Sequence, residues 1–317
     1  MHDLIIIGAA AAGSSAAIYA IRRNLDVRIV SKDIGGEVAL SGSVENWPGI
    51  ESITGYELAQ NFYKHVKSYN VPIDEGFWVT GISQKENYHI VHAKNPKGEE
   101  VTYETKAVII GSGIHPRLLN IAGEKELKGK GVTYCTVCDG PLFKGKTTAT
   151  IGAGNSALES ALMMSTIADK VYLVTKYDKS DIGRGFPKGE TILIDKVYAA
   201  ENVEIVYNAN TTNINGEHMV ESFTYTDTKT NEEHTIDVQG IMVHIGFVPN
   251  SDFVDCVEKN DAKEIVVDKL CKTNCTGIFA AGDVTDIPYK QISISTGHGA
   301  TAALSAIDYL NYWKPQT

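Results

Sequence analysis

Asp3-Leu-Ile-Ile-Ile-Gly8-Ala-Ala-Ala-Ala-Gly13 is an apolar run that leads into a turn bounded by two glycines. A helical pattern follows from Ser14 to Arg23, and 27–30 predicts a second strand parallel to the first. This order of elements is typical of the unit that places a dinucleotide pyrophosphate at a helix N-terminus. The middle glycine of the usual pattern is Ala10 here, so a buried strand–helix turn without a ligand is the alternative.

The end of the second strand is where such units read the ribose of the nucleotide. Ser31, Lys32 and Asp33 stand at this position. Asp33 can accept a hydrogen bond from a hydroxyl group, and Lys32 is at least as close along the chain. Both residues therefore remain candidates for the contact.

A second unit of the same kind begins at Thr147. The residues 147–151 predict a strand, Gly152-Ala-Gly154-Asn-Ser-Ala157 a turn, and 171–174 the next strand. The second glycine is kept, and alanine in third place still allows close packing of helix and strand. Two such units are more specific than one and predict an α/β chain with two Rossmann-like nucleotide-binding domains of three layers, ββα.

The second unit does not reveal which nicotinamide nucleotide it takes. Thr175-Lys176-Tyr177 follows its second strand, and no carboxylate occurs before Asp178. There is also no pair of arginines here to clamp a 2′-phosphate. NADH and NADPH both remain open as donors.

Between the two units lies Cys135-Thr-Val-Cys138-Asp139, a pair of cysteines two residues apart followed by an acid. In this motif a helix start or a positive charge lowers one thiol pKa, and the thiolate attacks other disulfides through a mixed disulfide. The alternative is half of a zinc site completed by Cys271 and Cys275. No His cluster or second close pair lies in a zinc-knuckle context, so we expect a redox dithiol and no metal.

Composition excludes several other classes of function. The formal charge is −10 over 317 residues, so no basic surface is expected for a nucleic acid. No apolar run reaches the roughly 20 residues that cross a bilayer, and the N-terminus predicts a strand instead of a signal peptide. Five cysteines that include a CxxC motif indicate redox chemistry in the reducing cytoplasm.

The domain boundaries follow from breaks in the pattern. The apolar strand 106–111 returns to the first sheet, Ile114-His-Pro116 interrupts it, and 240–246 leads back again. We therefore expect a discontinuous first domain, 1–113 with 246–317, and a second domain, 114–245, that carries the dithiol. Near the C-terminus Gly282-Asp283 and Tyr289-Lys-Gln-Ile-Ser293 precede a last helix.

With these motifs together, the chain resembles low-molecular-weight thioredoxin reductases over essentially its whole length, and still more the reductase portion of the alkyl hydroperoxide reductase flavoprotein. The motifs that carry the resemblance are Cys135-Thr-Val-Cys-Asp-Gly-Pro-Leu-Phe-Lys-Gly145, Ile151-Gly-Ala-Gly-Asn-Ser156, His244-Ile-Gly-Phe-Val-Pro-Asn250, Phe279-Ala-Ala-Gly-Asp-Val284 and Pro288-Tyr-Lys-Gln291.

The resemblance implies FAD on the first unit and a nicotinamide nucleotide on the second. The residues implied for FAD are Gly8, Ala10, Ala12, Gly13, Lys32, Gly36, Glu37, Asn46, Gly282, Asp283, Lys290, Gln291 and Ile292. Those implied for the nicotinamide nucleotide are Gly152, Gly154, Asn155, Ser156, Thr175, Lys176 and Gly246.

The resemblance also implies roles for the dithiol. Cys138 faces the flavin, Cys135 attacks the disulfide of a thioredoxin or glutaredoxin-like partner, and Asp139 carries the proton. The resemblance further implies that the second domain swings about hinges near 114–116 and 244–246, and that the protein is a homodimer.

Three positions depart from the family pattern. Glu37 stands where glutamine is usual, which replaces an amide donor near the flavin by an acceptor. Ala10 crowds the pyrophosphate turn, and the arginine cluster that reads NADPH is absent at 175–177. The alternatives are an NADH-dependent reductase of a peroxiredoxin system, a flavoprotein with a degenerate nicotinamide site and another donor, and a flavin redox sensor.

Overall fold

The computed structural model describes residues 1–41 and 43–314. The chain divides into two compact units, Met1–His115 with Val248–Thr317 and Pro116–Phe247, of which 315–317 lie outside the described residues. The predicted boundaries at 113/114 and 245/246 lie two residues before these positions.

The first part of the chain alternates short helices and strands. In chain order its elements are β1 (His2–Ala9), α1 (Ala11–Ile21), β2 (Val27–Ile34), α2 (Gly36–Ala39), β3 (Ser43–Val44), β4 (Ile53–Thr54), α3 (Gly55–Ser68), β5 (Ile73–Glu75), β6 (Trp78–Gln84), β7 (His89–Lys94), β8 (Glu100–Ile110) and β9 (Ile114–Pro116).

The remaining elements include three short 3₁₀ turns, at 140–143, 182–185 and 282–284. The helices and strands are β10 (Val132–Thr133), α4 (Thr136–Asp139), β11 (Thr147–Ile151), α5 (Asn155–Ser165), β12 (Lys170–Val174), α6 (Thr191–Ala199), β13 (Val203–Val206), β14 (Ala209–Asn215), β15 (Ser222–Asp227), β16 (Glu233–Asp237), β17 (Gly240–Val243), β18 (Phe247–Pro249), β19 (Ile278–Ala280) and α7 (Ile292–Asn311).

The sheet of the first unit runs in the order β5-β2-β1-β8-β7-β6, and β19 also pairs with β8. Pairs among β5, β2, β1, β8 and β19 are parallel, whereas β8, β7 and β6 are antiparallel. The strand β8 is long enough to serve both parts. Its first half pairs with β7, and its second half lies between β1 and β19.

The parallel part of this sheet is buried on both faces. Leu4, Ile6 and Ile29 belong to an apolar cluster that includes residues of α1 and α7, and Ile5 and Ile7 belong to a second apolar cluster. The helices α1 and α7 meet through small residues: a Cβ added at Gly299 would stand 2.0 Å from the Ala12 carbonyl oxygen. This close packing fixes the N-terminus of α1 against the sheet.

The second unit has the same layered plan. A parallel sheet runs in the order β10-β17-β11-β12-β13, and β14-β15-β16 form an antiparallel sheet. Val243 and Ile151 of the parallel sheet pack with Phe223 of the antiparallel sheet, and Leu158 of α5 packs against Leu173 of β12. The strands β9 and β18, at which the chain passes between units, form a separate two-stranded sheet. None of the helices in the described ranges is long and apolar enough to cross a membrane.

Candidate active site: a redox dithiol and two nucleotide turns

Cys135 and Cys138 form a disulfide at the start of α4 in the second unit. Cys135 is the N-cap residue of this helix, and the backbone N–H of Cys138 donates to Cys135 Sγ at 3.2 Å. Cys138 is exposed and Cys135 is half-buried. A backbone donor at a helix start favours the negative charge of a thiolate. The geometry therefore suits thiol–disulfide exchange with an external partner.

Thr136, which lies between the two cysteines in the sequence, is buried and anchors the dithiol helix α4. Its hydroxyl group forms hydrogen bonds with Ser160 Oγ at 2.6 Å and with His244 Nε2 at 2.8 Å. Burial lowers the pKa of His244 to about 4, so this imidazole is neutral at physiological pH. The network holds α4 on α5 and on the end of β17 without a buried charge.

Asp139 is connected to the cysteines through Thr133. The Thr133 hydroxyl donates to Asp139 Oδ2 at 2.5 Å and accepts from the Cys135 backbone N–H at 3.1 Å. A carboxylate held this close to the dithiol is suited to move a proton during exchange. The role predicted for Asp139 stays a prediction.

The turn of the first unit leaves a helix N-terminus open. Gly8 has a φ of +104°, and a Cβ added at Gly13 would stand 1.9 Å from the Gly8 carbonyl oxygen. Among the described residues, no side chain caps α1 and no acid occupies its first turn. The free backbone N–H groups at this end are suited to a pyrophosphate. Ala10 has an extended backbone, with φ −94° and ψ −158°, so its methyl group strains nothing.

The candidate ribose-reading residues are already engaged. Ser31 Oγ accepts from the Ala9 N–H at 3.1 Å and donates to the Asp33 carbonyl at 2.6 Å. Asp33 Oδ1 accepts from the Gly36 N–H at 3.1 Å, and Lys32 Nζ lies 5.0 Å from the centre of the Trp78 ring. Lys32 and Asp33 are exposed and remain the residues of this group that a ligand can reach.

The predicted FAD residues from distant parts of the sequence meet at this turn. A Cβ at Gly36 would lie 3.4 Å from the Ala10 methyl carbon, and one at Gly282 would lie 3.0 Å from the Ala12 methyl carbon. Ile292, at the start of α7, packs against a cluster that includes Ala11, Val38 and Leu58.

Hydrogen bonds and an ion pair connect further predicted FAD residues of the first unit. Asn46 Nδ2 donates to Gln291 Oε1 at 3.2 Å, and Ser295 Oγ donates to Asp283 Oδ1 at 2.9 Å. Lys290 Nζ lies 2.8 Å from Glu264 Oε1. These residues and the open end of α1 fit an elongated ligand that contains a pyrophosphate, as FAD does.

The nucleotide turn of the second unit, 152–157, is more closely surrounded by other residues of its own unit than the turn of the first unit is. Asn155 Oδ1 accepts from the Glu190 N–H and Asn155 Nδ2 donates to Glu190 Oε1, both at 2.8 Å. Lys188 forms an isolated β-bridge with Gly154, and a Cβ at Gly152 would stand 2.1 Å from the His244 carbonyl oxygen. A carboxylate therefore lies at the N-terminus of α5, where a nucleotide would place its pyrophosphate.

The other residues predicted for the nicotinamide nucleotide have different surroundings. Thr175 is buried, and its hydroxyl donates to the Gly185 carbonyl at 2.8 Å. Lys176 Nζ lies 5.5 Å from the centre of the Tyr177 ring, and Ser156 is exposed on the first turn of α5. Gly246 has a φ of +106° and open space where a Cβ would stand. Thr175 thus supports the neighbouring loop, while Ser156 is accessible.

The three remaining cysteines, two of which the sequence offers as possible zinc ligands, are free thiols. Cys271 is buried and its thiol faces the His298 carbonyl at 3.6 Å, whereas the Cys275 thiol donates to the Cys256 carbonyl at 2.7 Å. Burial raises the pKa of both Cys256 and Cys271 to about 12. Across the described residues, no three His, Cys, Asp or Glu side chains lie close enough together to hold a metal ion.

Motif analysis did not single out Thr133, Thr136, Ser160 or Glu190 as functional. Thr133 and Thr136 flank Cys135, and their hydroxyl groups were the only local signal. Glu190 lies 35 residues from its partner Asn155, a distance that no local motif spans. Such partners become visible only when the strands are assembled.

Comparison with known proteins places the chain in a family. Residues 2–303 match the family described as pyridine nucleotide-disulphide oxidoreductase. An alkyl hydroperoxide reductase component of Staphylococcus aureus is 40% identical over 310 residues, which are 98% of this chain and 59% of the relative. An NADH dehydrogenase from Bacillus subtilis is 38% identical over 309 residues, 97% of this chain and 58% of that protein.

A solved structure agrees with the sequence comparison. Thioredoxin reductase from Lactococcus lactis superimposes with a TM-score of 0.87 at 30% identity, covering 98% of this chain and 99% of that one. The chain spans about three-fifths of the length of the curated relatives it matches.

The chain therefore belongs to the pyridine nucleotide-disulphide oxidoreductase family. It is an oxidoreductase whose fold is that of the low-molecular-weight thioredoxin reductases. The predicted family and the predicted α/β class with two Rossmann-like domains are confirmed. FAD is the cofactor that this membership implies, with NAD(P)H as the electron donor.

Proposed function

We propose that this protein is an FAD-dependent reductase of disulfides in thioredoxin or a glutaredoxin-like carrier, and that electrons leave it through Cys135 and Cys138. The observation that carries the proposal is the disulfide at the start of α4, of which Cys138 is exposed and Cys135 half-buried, with Asp139 connected to it through Thr133. The thioredoxin reductase of Lactococcus lactis supports the same choice of partner.

FAD, when bound to the first unit, supplies a two-electron carrier between the nicotinamide donor and the protein disulfide. In the proposed arrangement, Gly8, Ala10, Ala12 and Gly13 hold its pyrophosphate at the N-terminus of α1. Asp283 at the end of β19 and Gln291 at the start of α7 hold the rest of the molecule. Two electrons and two protons convert the Cys135–Cys138 disulfide to two thiols.

Exchange with the partner then follows from the geometry of α4. The Cys135 thiolate attacks one sulfur of the partner disulfide, and the other partner sulfur leaves as a thiolate that takes up a proton. The Cys138 thiolate attacks Cys135 Sγ, which restores the protein disulfide and releases the second partner thiol. Asp139 passes the protons, and the Thr136–His244 bond keeps α4 in place.

We propose NADH as the donor. No arginine pair follows β12, and Asp178 at this position accepts from the Ser180 N–H and pairs with Lys229 at 2.5 Å. These hydrogen bonds lower the pKa of Asp178, so its carboxylate is ionised at neutral pH and can accept a hydrogen bond from a ribose 2′-hydroxyl group. The relative from Bacillus subtilis described as an NADH dehydrogenase supports this choice.

A second candidate is a reductase of a peroxiredoxin system, favoured by the 40% identity to the alkyl hydroperoxide reductase component of Staphylococcus aureus.

We further propose a cytoplasmic homodimer that has no membrane or nucleic-acid partner, in keeping with the net charge of −10. Sedimentation analysis of the purified protein tests the dimer.

The proposed function is tested in two steps under anaerobic conditions. NADH or NADPH is mixed with oxidised holoenzyme while flavin absorbance is followed, and thioredoxin, a glutaredoxin or a peroxiredoxin is then added as acceptor. We expect NADH to bleach the flavin and thioredoxin to be reduced. A Cys138→Ser variant should retain the flavin and lose disulfide reduction. A variant that still reduces the acceptor at the wild-type rate would contradict the proposal.

A further inference from the structure

Glu37 lies on α2 among other acidic side chains of the first unit. The carboxylates that act on its charge are Asp33, on the turn before α2, and Asp283, in the 3₁₀ turn after β19. Lys32 is the one cation that acts on it among the described residues, and Lys290 acts on Asp283 instead. The Glu37 carboxyl group is thus held where negative charge dominates.

Glu37 differs from these neighbours in its hydrogen bonds. Asp33 accepts from the Gly36 N–H and Asp283 accepts from Ser295 Oγ. Among the residues that the structure describes, no donor reaches the Glu37 carboxyl group; the bond at this residue runs from Ser41 Oγ to the Glu37 backbone carbonyl. Burial and the two carboxylates raise the pKa of Glu37 to about 7.

The proposed site of the FAD pyrophosphate adjoins this group of acids. Gly36, next to Glu37, lies against Ala10 of the first nucleotide turn, and Gly282, next to Asp283, lies against Ala12. Bound FAD therefore adds negative phosphates to a group of carboxylates that already disfavours the ionised form of Glu37.

We propose that Glu37 is a neutral carboxylic acid in the FAD-bound protein, so that binding of FAD takes up one proton at and above neutral pH. A neutral carboxyl group has an O–H donor, whereas an ionised one only accepts. Glu37 then supplies the same kind of donor as an amide side chain would. The inference rests on the proposed FAD site, and it does not depend on the identity of the electron donor or of the disulfide partner.

The test uses apoprotein titrated with FAD and follows the quenching of flavin fluorescence. If Glu37 ionises near pH 7 without FAD and stays neutral with it, the Kd for FAD rises about 30-fold from about pH 6 to about pH 8.5. In Glu37→Gln the rise should be below about 3-fold, because the amide does not titrate. Glu104→Gln, an exposed acid on β8 of the same unit, is the matched control and should behave as wild type.

Calorimetry supplies a second measurement that needs no variant. Heats of FAD binding at about pH 7.5 in two buffers of different ionisation enthalpy give the number of protons exchanged, and we expect uptake of most of one proton by the wild type. Absence of proton uptake in the wild type, or equal pH dependence in wild type and Glu37→Gln, would overturn the inference.

Discussion

Acidification should destabilise the second unit through His244. Its imidazole is held neutral beneath the dithiol, with Nε2 bonded to Thr136 at 2.8 Å, and burial lowers its pKa to about 4. In the unfolded chain the same group titrates near 6.5. The unfolded state therefore binds a proton first as the pH falls, and stability is lost between about pH 6.5 and about pH 4.

The size of the effect follows from the two pKa values. Between about pH 7 and about pH 5, protonation of the unfolded state should cost at most about 2 kcal/mol of unfolding free energy. This is an upper value, because part of the ring still meets solvent. Other groups titrate in the same range, so the quantity to compare is the difference between wild type and His244→Gln.

The assay must report on the second unit specifically. All three tryptophans, Trp47, Trp78 and Trp313, lie in the first unit, so their fluorescence would miss the event. Hydrogen exchange followed by mass spectrometry on peptides from β11 and β17 measures opening of the correct sheet. His218→Gln is the control, because its side chain is 88% exposed.

We expect the wild type and the His218→Gln variant to lose protection on acidification, and His244→Gln to lose clearly less. Equal losses in all three proteins would refute the argument that His244 is buried in its neutral form.

Three further predictions concern the nucleotide turns and the free thiols. Gly13→Ala should abolish FAD retention, because the new methyl group would meet the Gly8 carbonyl oxygen at 1.9 Å. Gly297→Ala, where an added Cβ would meet no atom within 4 Å beyond its own stretch of helix backbone, should retain the yellow cofactor, and similar absorbance in both variants would contradict this. Glu190→Gln removes the negative charge from the N-terminus of α5, where the NADH pyrophosphate would bind. Calorimetry should show NADH binding about 5-fold tighter, since ~1 kcal/mol is typical for the interaction of a charge with a helix N-terminus. Weaker binding would mean that the Asn155–Glu190 pair organises the turn. Cys256 and Cys271 should react with a thiol reagent only after denaturation, because the pKa of each thiol is raised to about 12; rapid labelling of the native protein would contradict that assignment.

The sequence was most informative where chemistry depends on neighbouring residues. The strand 147–151 occurs as predicted, and the strand predicted at 171–174 lies within β12. The boundaries of β8 were less well predicted, because the apolar strand predicted at 106–111 is only the second half of the strand Glu100–Ile110. Its two halves pair with different neighbours, and this is a property of the sheet that periodicity along one strand does not contain.

The dithiol motif, the two nucleotide turns and the family could be determined from sequence, because each depends on residue types at short fixed spacings. Only the tertiary structure revealed that Thr136 forms hydrogen bonds with Ser160 and His244, and that Asn155 forms one with Glu190. It also revealed that the charges of Asp33 and Asp283 act on Glu37. These relations join residues up to 246 positions apart, such as Glu37 and Asp283. The charge state of a buried group depends on what surrounds it in space, and packing of distant strands and helices decides those surroundings.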